Sequence, residues 1–437
     1  MKRKRIAGTY ILNLVLLTEV VRRFYLTSTD LPILIGDLII LSCGINVILR
    51  VKGILARNYS HLLWLVALTV MGLASSIFAQ NSLMILMVGV RLLYMPLLVA
   101  FIGAYYSSDA DGTAILKTLS FWVIAAVSVA VLQLLLGPDH PFSHVTGELA
   151  GPTGGIDVYL VGTDSIPFLF RPTSFFMHTS KFGQALFVMG LYILIAKCEL
   201  GLKTFYWRSL TWVIVFGVAI SGQRAAAALL VTIWLIYRFF LKPQGRESLG
   251  TGVASEKPKI TTIIAGIVAL LAAFNFQEIL RFVLERFYFF NVAHARLNTN
   301  FLTPIGYILE RYVLTGLGMG YLTLGSMRWG GAGAPYLGVE RVPGLLEGSW
   351  VRIICEIGVL GLVVTAFYLL SIWGKAKRIL QSPHPTLPNS ITAKYAVLVL
   401  PSLFLWGLTH DVFGNYLTLY LTYYLFGPIF LHCEVKD

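Results

Sequence analysis

The sequence predicts an all-α fold, a polytopic integral membrane protein with about 12 transmembrane helices, from its composition and its long apolar runs. Of the 437 residues, 57% are hydrophobic and 13% are charged, and the mean hydropathy is +0.76. Soluble globular domains carry about 25% charged residues, so a soluble enzyme, a disordered chain and a disulfide scaffold are excluded. The apolar runs are continuous, whereas the strands of outer-membrane barrels alternate over ~10 residues.

The first predicted span follows a basic N-terminus, residues 2–5 (KRKR), and begins with the apolar stretch 6–17. A cleaved signal peptide would show a small-residue cleavage site after such a stretch. Glu19, Arg22 and Arg23 follow instead. We therefore expect this segment to stay in the protein as a transmembrane helix.

Hydropathy predicts eleven further spans, with two long connections between them. These connections are residues 137–172, rich in Gly, Pro and Asp, and residues 277–348, while residues 243–258 form a polar cytoplasmic linker. The chain is expected to form a single membrane domain over residues 1–437. The eleven spans lie near residues 32–49, 61–79, 83–106, 116–136, 173–196, 209–222, 225–241, 260–276, 349–373, 393–409 and 412–432.

The distribution of basic residues predicts the orientation of the chain, because cytoplasmic loops are enriched in Lys and Arg. With the N-terminus inside and alternating spans, the segments assigned to the cytoplasm hold 21 of the 34 basic residues. Both termini are therefore expected in the cytoplasm. The net charge of +13 follows this topology, so it does not indicate nucleic acid binding.

The larger outer loop, residues 277–348, lies between spans 9 and 10 and contains two amphipathic segments. Residues 277–296 and 301–314 mix aromatic and aliphatic residues with Arg and Glu at helical spacing. They are expected to form helices that lie on the membrane surface or cap a cavity. Loops longer than ~15 residues are usually functional, so this loop is a candidate part of the site.

Arginine is favoured over lysine among the basic residues outside the cytoplasmic segments. These residues are 12 Arg and one Lys, whereas the cytoplasmic segments contain 13 Lys and eight Arg. Arginine presents a planar fork that binds phosphate at two points. The excess of Arg over Lys outside the cytoplasmic segments therefore indicates a phosphate or pyrophosphate ligand at the outer face. The alternative is that bacterial-type outer loops lack Lys because of insertion topology. The residues are Arg22, Arg23, Arg91, Arg171, Lys181, Arg224, Arg281, Arg286, Arg296, Arg311, Arg328, Arg341 and Arg352.

Four of these basic residues are distinguished by their position. Arg91 lies midway along a predicted span, where a charge is costly and is a functional hypothesis by default; the alternative is a structural partner for another helix. Arg171 and Lys181 flank the start of the sixth span. Arg224 lies in a short outer hairpin, where it would bind an anion or extend its charge to the membrane surface.

Carboxylates and a histidine near the outer ends of the spans are candidates for proton transfer. Glu347 opens the tenth span, and Glu356 lies nine residues deeper. A carboxylate at the interface acts as a general base or pairs with an outer arginine, and Glu356 is expected to be structural. His410-Asp411 would shuttle protons or simply form a turn. The sequence contains no HExxH and no clustered metal ligands, so neither a metal nor a cofactor is expected.

Residues 314–320 (LTGLGMG) form a glycine-rich stretch inside the larger outer loop. Its spacing differs from GxGxxG, and no strand–helix unit surrounds it, so a dinucleotide site is excluded. A tight turn after an amphipathic helix is the expected structure.

Four short motifs, taken in order with twelve spans and the large outer loop, carry a family resemblance. They are Arg171-Pro172-Thr173 followed by Gly183; Ser221-Gly222-Gln223-Arg224; residues 310–320, which include Gly316-Leu317-Gly318-Met319-Gly320; and Trp350-Val351-Arg352 followed by Glu356-Ile357-Gly358-Val359-Leu360-Gly361. The chain resembles the O-antigen polymerase and ligase superfamily (Wzy and WaaL type), most strongly over residues 165–375.

The resemblance implies glycosyl transfer at the outer face of a bacterial plasma membrane, with undecaprenyl-pyrophosphate-linked glycans as donor and acceptor. A chain-length regulator and a flippase are the implied protein partners, and nucleic acid is not a partner. Basic residues would hold the pyrophosphate, and other residues would support them. The first set is Arg224, Arg171, Arg91, Arg296, Arg311 and Lys181; the second is Trp350, Glu356, His410 and Asp411.

One departure from the family pattern favours a polymerase over a ligase. Ligases of the family typically carry His nine residues before the position that matches Glu356, whereas this chain has Glu347 there, followed by Gly348. Glu347 is then the candidate catalytic base.

The rival class is a secondary transporter or a lipid-glycan flippase, which would show internal repeats and broken midplane helices. The two halves of the sequence show no clear repeat.

The topology yields a test with reporter fusions. Green fluorescent protein fused after residue 437 is expected to fluoresce, because the predicted C-terminus is cytoplasmic. Alkaline phosphatase fused after residue 150 is expected to be active, because the loop 137–172 is predicted to be outside. The reverse pattern would contradict the predicted orientation.

Overall fold

The computed structural model describes residues 2–24, 31–107, 113–137, 140, 142–143, 172–176, 179–238, 316–320, 349–382, 385–407, 412–413 and 415–431. Within these ranges the regular structure is α-helical and no strand occurs. The helices are α1 (Lys2–Phe24), α2 (Leu31–Arg50), α3 (Ile54–Arg57), α4 (Tyr59–Phe78), α5 (Leu83–Ser107), α6 (Thr113–Leu136), α7 (Thr179–Glu199), α8 (Phe205–Ile220), α9 (Arg224–Ile236), α10 (Ser349–Gln381), α11 (Leu387–Trp406) and α12 (Tyr416–Leu431).

Five of these helices, α4, α5, α6, α7 and α10, are long and apolar enough to cross a membrane. The predicted class, an α-helical membrane protein, is confirmed by these helices. The predicted span 260–276 lies outside the described residues, as do the linker 243–258 and the outer loop 277–348 except residues 316–320.

The helix ends meet in two groups, as an alternating chain requires. At one end, the Lys181 side chain of α7 donates to Glu19 of α1 at 3.4 Å. At the other end, Lys394 of α11 donates to Glu199 of α7 at 2.8 Å, and Tyr237 after α9 also donates to Glu199. The first group comprises ends that the sequence assigns to the outer face, and the second comprises ends assigned to the cytoplasmic face.

The central contact of the bundle is a close, parallel packing of α5 against α12. A Cβ atom on Gly103 would meet the backbone carbonyl of Tyr424, and one on Gly427 would meet the backbone of Ala104. Small residues allow helix backbones to approach this closely in membranes. The contact sets the register between the two helices.

The start of α7 differs from the predicted span 173–196. Residues 172–176 form a buried turn, and Ser174 has a φ of 56°, outside the helical region. Gln133 of α6 hydrogen-bonds both backbone groups of Ser174. Its side chain accepts from the Ser174 amide at 2.8 Å and donates to the Ser174 carbonyl at 2.9 Å. The helix therefore begins only at Thr179.

The tenth predicted span, 349–373, corresponds to α10, and this helix is broken at Gly358. Gly358 has φ 78° and ψ 178°, a backbone conformation that is essentially restricted to glycine. Two carbonyls just before the break, those of Cys355 and Glu356, accept hydrogen bonds from outside the helix. Leu317 donates its backbone N–H to Cys355 at 2.6 Å, and Gly318 donates to Glu356 at 2.9 Å.

The glycine-rich stretch 316–320 is buried and forms a plug against α10, and it includes a turn at residues 319–320, where the sequence predicts a tight turn. Gly316, Gly318 and Gly320 all have positive φ, and a Cβ on Gly316 would meet the carbonyl of Glu356. Asn81 anchors the other side, because its side chain donates to the Leu317 carbonyl at 2.6 Å.

Replacing Gly316 with Ala is expected to destabilise the protein. A left-handed non-glycine residue costs about 1–2 kcal/mol, and the new Cβ would also press on the Glu356 carbonyl. Gly201→Ala is the matched control, because Gly201 has φ 65° and open space around it. The thermal melting point of the purified full-length protein should fall further for Gly316→Ala; equal losses would contradict the plug.

Candidate functional site

The described candidate side chains lie in the predicted outer parts of their helices. At 1.5 Å per residue, Arg91 lies about 12 Å and Asp37 about 9 Å from the predicted outer ends of α5 and α2. Glu356 lies about 10 Å from the start of α10. A hydrocarbon core is ~30 Å thick, so these positions fall in the outer half of the predicted spans.

Arg91, which the sequence singled out, is paired with a carboxylate on a neighbouring helix. Its Nε donates to Asp37 of α2, and the Tyr420 hydroxyl of α12 donates to the other carboxylate oxygen at 2.8 Å. A guanidinium and a carboxylate satisfy each other where water is excluded. The three helices α2, α5 and α12 are thus joined by one hydrogen-bonded triad.

Lys181 forms a second ion pair beside the first. Its ammonium lies 3.4 Å from Glu19, whose side chain is fully buried. The same ammonium lies 4.9 Å from the ring centre of Tyr416, and the Arg91 guanidinium lies 5.6 Å from that ring centre. Tyr416 therefore contacts two cations, an attractive arrangement for an aromatic face. We call Arg91, Lys181, Asp37, Glu19, Tyr416 and Tyr420 the cation cluster.

Arg23 belongs to the outer arginines of the sequence, and its hydrogen bonds include contacts with the protein backbone and a threonine. It donates to the Thr173 hydroxyl and the Phe176 carbonyl, and more weakly to the carbonyls of Phe142 and Ser143. These contacts tie α1 to the turn before α7. Arg23 therefore has a structural role, in addition to any role in binding a ligand.

A cavity of about 80 Å³ lies beside the break in α10. Two of its lining residues, Arg352 and Glu356, are charged, and most of the others are apolar. We call it the kink cavity; its lining also includes Gly89, Met319, Tyr368 and Tyr423. Glu356, expected to be structural, lines this cavity and also supplies the carbonyl that receives the plug.

The kink cavity and the cation cluster lie on different faces of the α5–α12 pair. Leu92 and Leu419 line the cavity, whereas the adjacent residues Arg91 and Tyr420 hydrogen-bond Asp37 of α2. The candidate residues of the sequence therefore fall into two groups rather than one.

Trp350 supports a helix junction and does not line the kink cavity. Its ring nitrogen donates to the Phe404 carbonyl at 2.7 Å, and its ring packs on Phe404 and Phe413. The contact holds the start of α10 against the end of α11.

The four motifs that carry the family resemblance pack in two pairs. A Cβ on Gly183 would meet the side chains of Gln223 and Ser221, so the first two motifs are in contact. The third and fourth motifs meet where the glycine plug binds the broken helix at Glu356.

Several candidate residues lie outside the described residues: Arg171, Arg296, Arg311, Glu347, His410 and Asp411. Arg224 begins α9, and its side chain lies outside them as well. In the part of the chain that the structure describes, no three or more His, Cys, Asp or Glu side chains are grouped to hold a metal ion. No protein-family model matches the chain, and no curated protein matches it either.

The sequence reasoning missed the partners of the two cations, Asp37 and Glu19 above all. A signal was available, because an acidic residue inside an apolar span is as unusual as an arginine there. Tyr416 and Tyr420 carried no such signal, since tyrosines are common in this apolar chain, which has 21 of them.

Replacing Arg91 with Met is expected to destabilise the protein by about 3–5 kcal/mol, because it leaves a buried carboxylate without its counter-ion. The double variant Arg91→Met with Asp37→Leu should recover most of that loss, since both charges are then absent. Thermal melting of the purified variants measures both effects. A double variant less stable than the single variant would contradict a mutual pair.

Proposed function

We propose that the chain polymerises undecaprenyl-pyrophosphate-linked oligosaccharide repeat units of an O-antigen, capsule or exopolysaccharide. The reaction is a metal-independent glycosyl transfer at the outer face of a bacterial plasma membrane. The observation that carries the proposal is the cation cluster, which groups Arg91 and Lys181 near the predicted outer end of the bundle.

In this reaction a sugar hydroxyl of one glycan attacks the anomeric carbon that is linked to the pyrophosphate of another. The new glycosidic bond forms as the bond to the pyrophosphate oxygen breaks, and undecaprenyl pyrophosphate leaves with the bonding electrons. Glu347 accepts the hydroxyl proton as general base. Cations placed beside the leaving group stabilise the charge that develops on it.

The cation cluster suits this role because its cations are held before the ligand arrives. Arg91 and Lys181 are each fixed by a carboxylate and by the Tyr416 ring. Such preorganised charge requires little rearrangement during the reaction. Arg171, Arg224, Arg296 and Arg311 are proposed to complete the pyrophosphate site.

A ligase that transfers the finished glycan to another acceptor is the nearest alternative. It uses the same donor chemistry, so the cation cluster does not separate the two activities. The presence of Glu347 in place of the family's histidine favours the polymerase.

Transport is the second candidate function, because the break in α10 is a specific observation in its favour. Transporters use broken helices to build substrate sites near the membrane midplane. Against it, Arg352 and Glu356 precede the break on its predicted outer side, and the cation cluster is also on that side. This one-sided distribution suits a reaction at the outer leaflet.

Glycan analysis of a deletion strain tests the three functions. A polymerase deletion is expected to leave one repeat unit per lipid carrier or lipid A core, with no ladder on a gel. Long polymer that stays on its lipid carrier would instead indicate a ligase. An unchanged glycan profile would refute glycosyl transfer and favour transport.

Complementation of that strain tests the assigned residues. Glu347→Gln is expected to abolish the ladder, because an amide cannot accept the hydroxyl proton. Arg224→Ala is expected to shorten or abolish it by weakening the hold on the pyrophosphate. Arg208→Ala, a change on the predicted cytoplasmic side, should leave the ladder intact. Full-length polymer from Glu347→Gln would exclude it as the base.

A further inference from the structure

The Arg91 guanidinium has one hydrogen-bond donor without a partner among the described residues. Asp37 occupies its Nε, while Nη2 is buried and has no hydrogen-bond partner among the described residues. A buried donor without a partner is costly. The Arg91 side chain as a whole nevertheless keeps 26% of its surface exposed.

The Tyr420 hydroxyl controls the carboxylate that holds Arg91. It donates to Asp37 Oδ1 at 2.8 Å, while Arg91 binds Oδ2. Each carboxylate oxygen is thereby assigned to one partner, so rotation of the carboxylate is restrained. Tyr416 restrains the guanidinium from another direction, through its ring.

A guanidinium that is bound at Nε has a further edge, formed by its two Nη groups. Such an edge forms a two-point contact with oxyanions. Lys181 contacts the same aromatic ring as Arg91, that of Tyr416. The ring therefore links a fork-shaped cation to an ammonium.

We propose that Asp37 and Tyr420 are positioning residues, which hold Arg91 by Nε so that its Nη edge, with Lys181, binds a phosphate-type anion. The inference deepens the proposed function and rests on it for the identity of the anion, the pyrophosphate of a lipid-linked glycan. The same chemistry is present in an anionic lipid headgroup, and the test below separates the two sources.

A similar triad at the opposite face of the bundle provides a matched control. Tyr237 and Lys394 both donate to Glu199 there, so a tyrosine, a carboxylate and a cation again meet. In this triad both donors bind the same oxygen, Oε1, and the cation is an ammonium rather than a fork. We expect it to stabilise the fold without binding an anion.

The experiment measures the binding of inorganic pyrophosphate to the full-length protein in phosphatidylcholine nanodiscs by calorimetry. Tyr420→Phe removes one hydroxyl and keeps the Arg91–Asp37 ion pair, so the fold is expected to survive. It should weaken pyrophosphate binding about tenfold, the effect of losing one charge-assisted hydrogen bond. Tyr237→Phe should leave the Kd within about twofold.

A charge swap separates positioning from simple stabilisation. Asp37→Arg combined with Arg91→Asp restores the ion pair but moves the cation from α5 to α2. The melting point should stay near the wild-type value while pyrophosphate binding is lost. If Tyr420→Phe and Tyr237→Phe weaken binding equally, or if neither does, the positioning role is refuted; it is also refuted if the wild type binds no pyrophosphate.

The source of the anion is tested by adding phosphatidylglycerol to the nanodiscs. If phosphatidylglycerol competes with pyrophosphate, and this competition depends on Tyr420, the site binds a lipid headgroup. If phosphatidylglycerol does not compete, the site binds a pyrophosphate ligand. Both results support the positioning role. A deletion strain with an unchanged glycan profile would refute the polymerase, while Tyr420-dependent binding would still support the anion site.

Discussion

The close packing of α5 against α12 is the constraint on which the rest of the described structure depends. Gly103 and Gly427 bring the two backbones into contact, which determines which side chains of each helix face the same neighbour. One face places Arg91 and Tyr420 on Asp37 of α2, and the other lines the kink cavity with Leu92 and Leu419. A larger residue at either glycine would move both sites at once.

Backbone hydrogen bonding in an apolar environment explains why the broken helix needs the glycine plug. A carbonyl without a partner costs several kcal/mol in lipid, and Leu317 and Gly318 supply N–H groups to two carbonyls beside the break at Gly358. The plug belongs to the same predicted outer loop as the proposed pyrophosphate arginines Arg296 and Arg311. Through it, that loop is attached to the helix that carries Arg352 and Glu356.

The charges inside the bundle are compatible with both stability and function. Arg91 and Lys181 each have a carboxylate partner, which lowers the cost of holding them among apolar residues. An anionic ligand would share these cations with Asp37 and Glu19 rather than meet free charges. Such a site would bind an anion through the cations, and its affinity would depend on how firmly the carboxylates hold them.

The sequence alone determined the membrane class, the approximate positions of the described helices and the presence of a charge, Arg91, within an apolar helix, because hydropathy and charge are local properties of the chain. Tertiary structure decided the partners: Asp37 lies 54 residues from Arg91, and Glu19 lies 162 residues from Lys181. Such pairs depend on which helix faces pack together. The break at Gly358 and the buried turn before Thr179 were also beyond the sequence, since hydropathy averages over a whole span and both conformations are stabilised by distant hydrogen bonds.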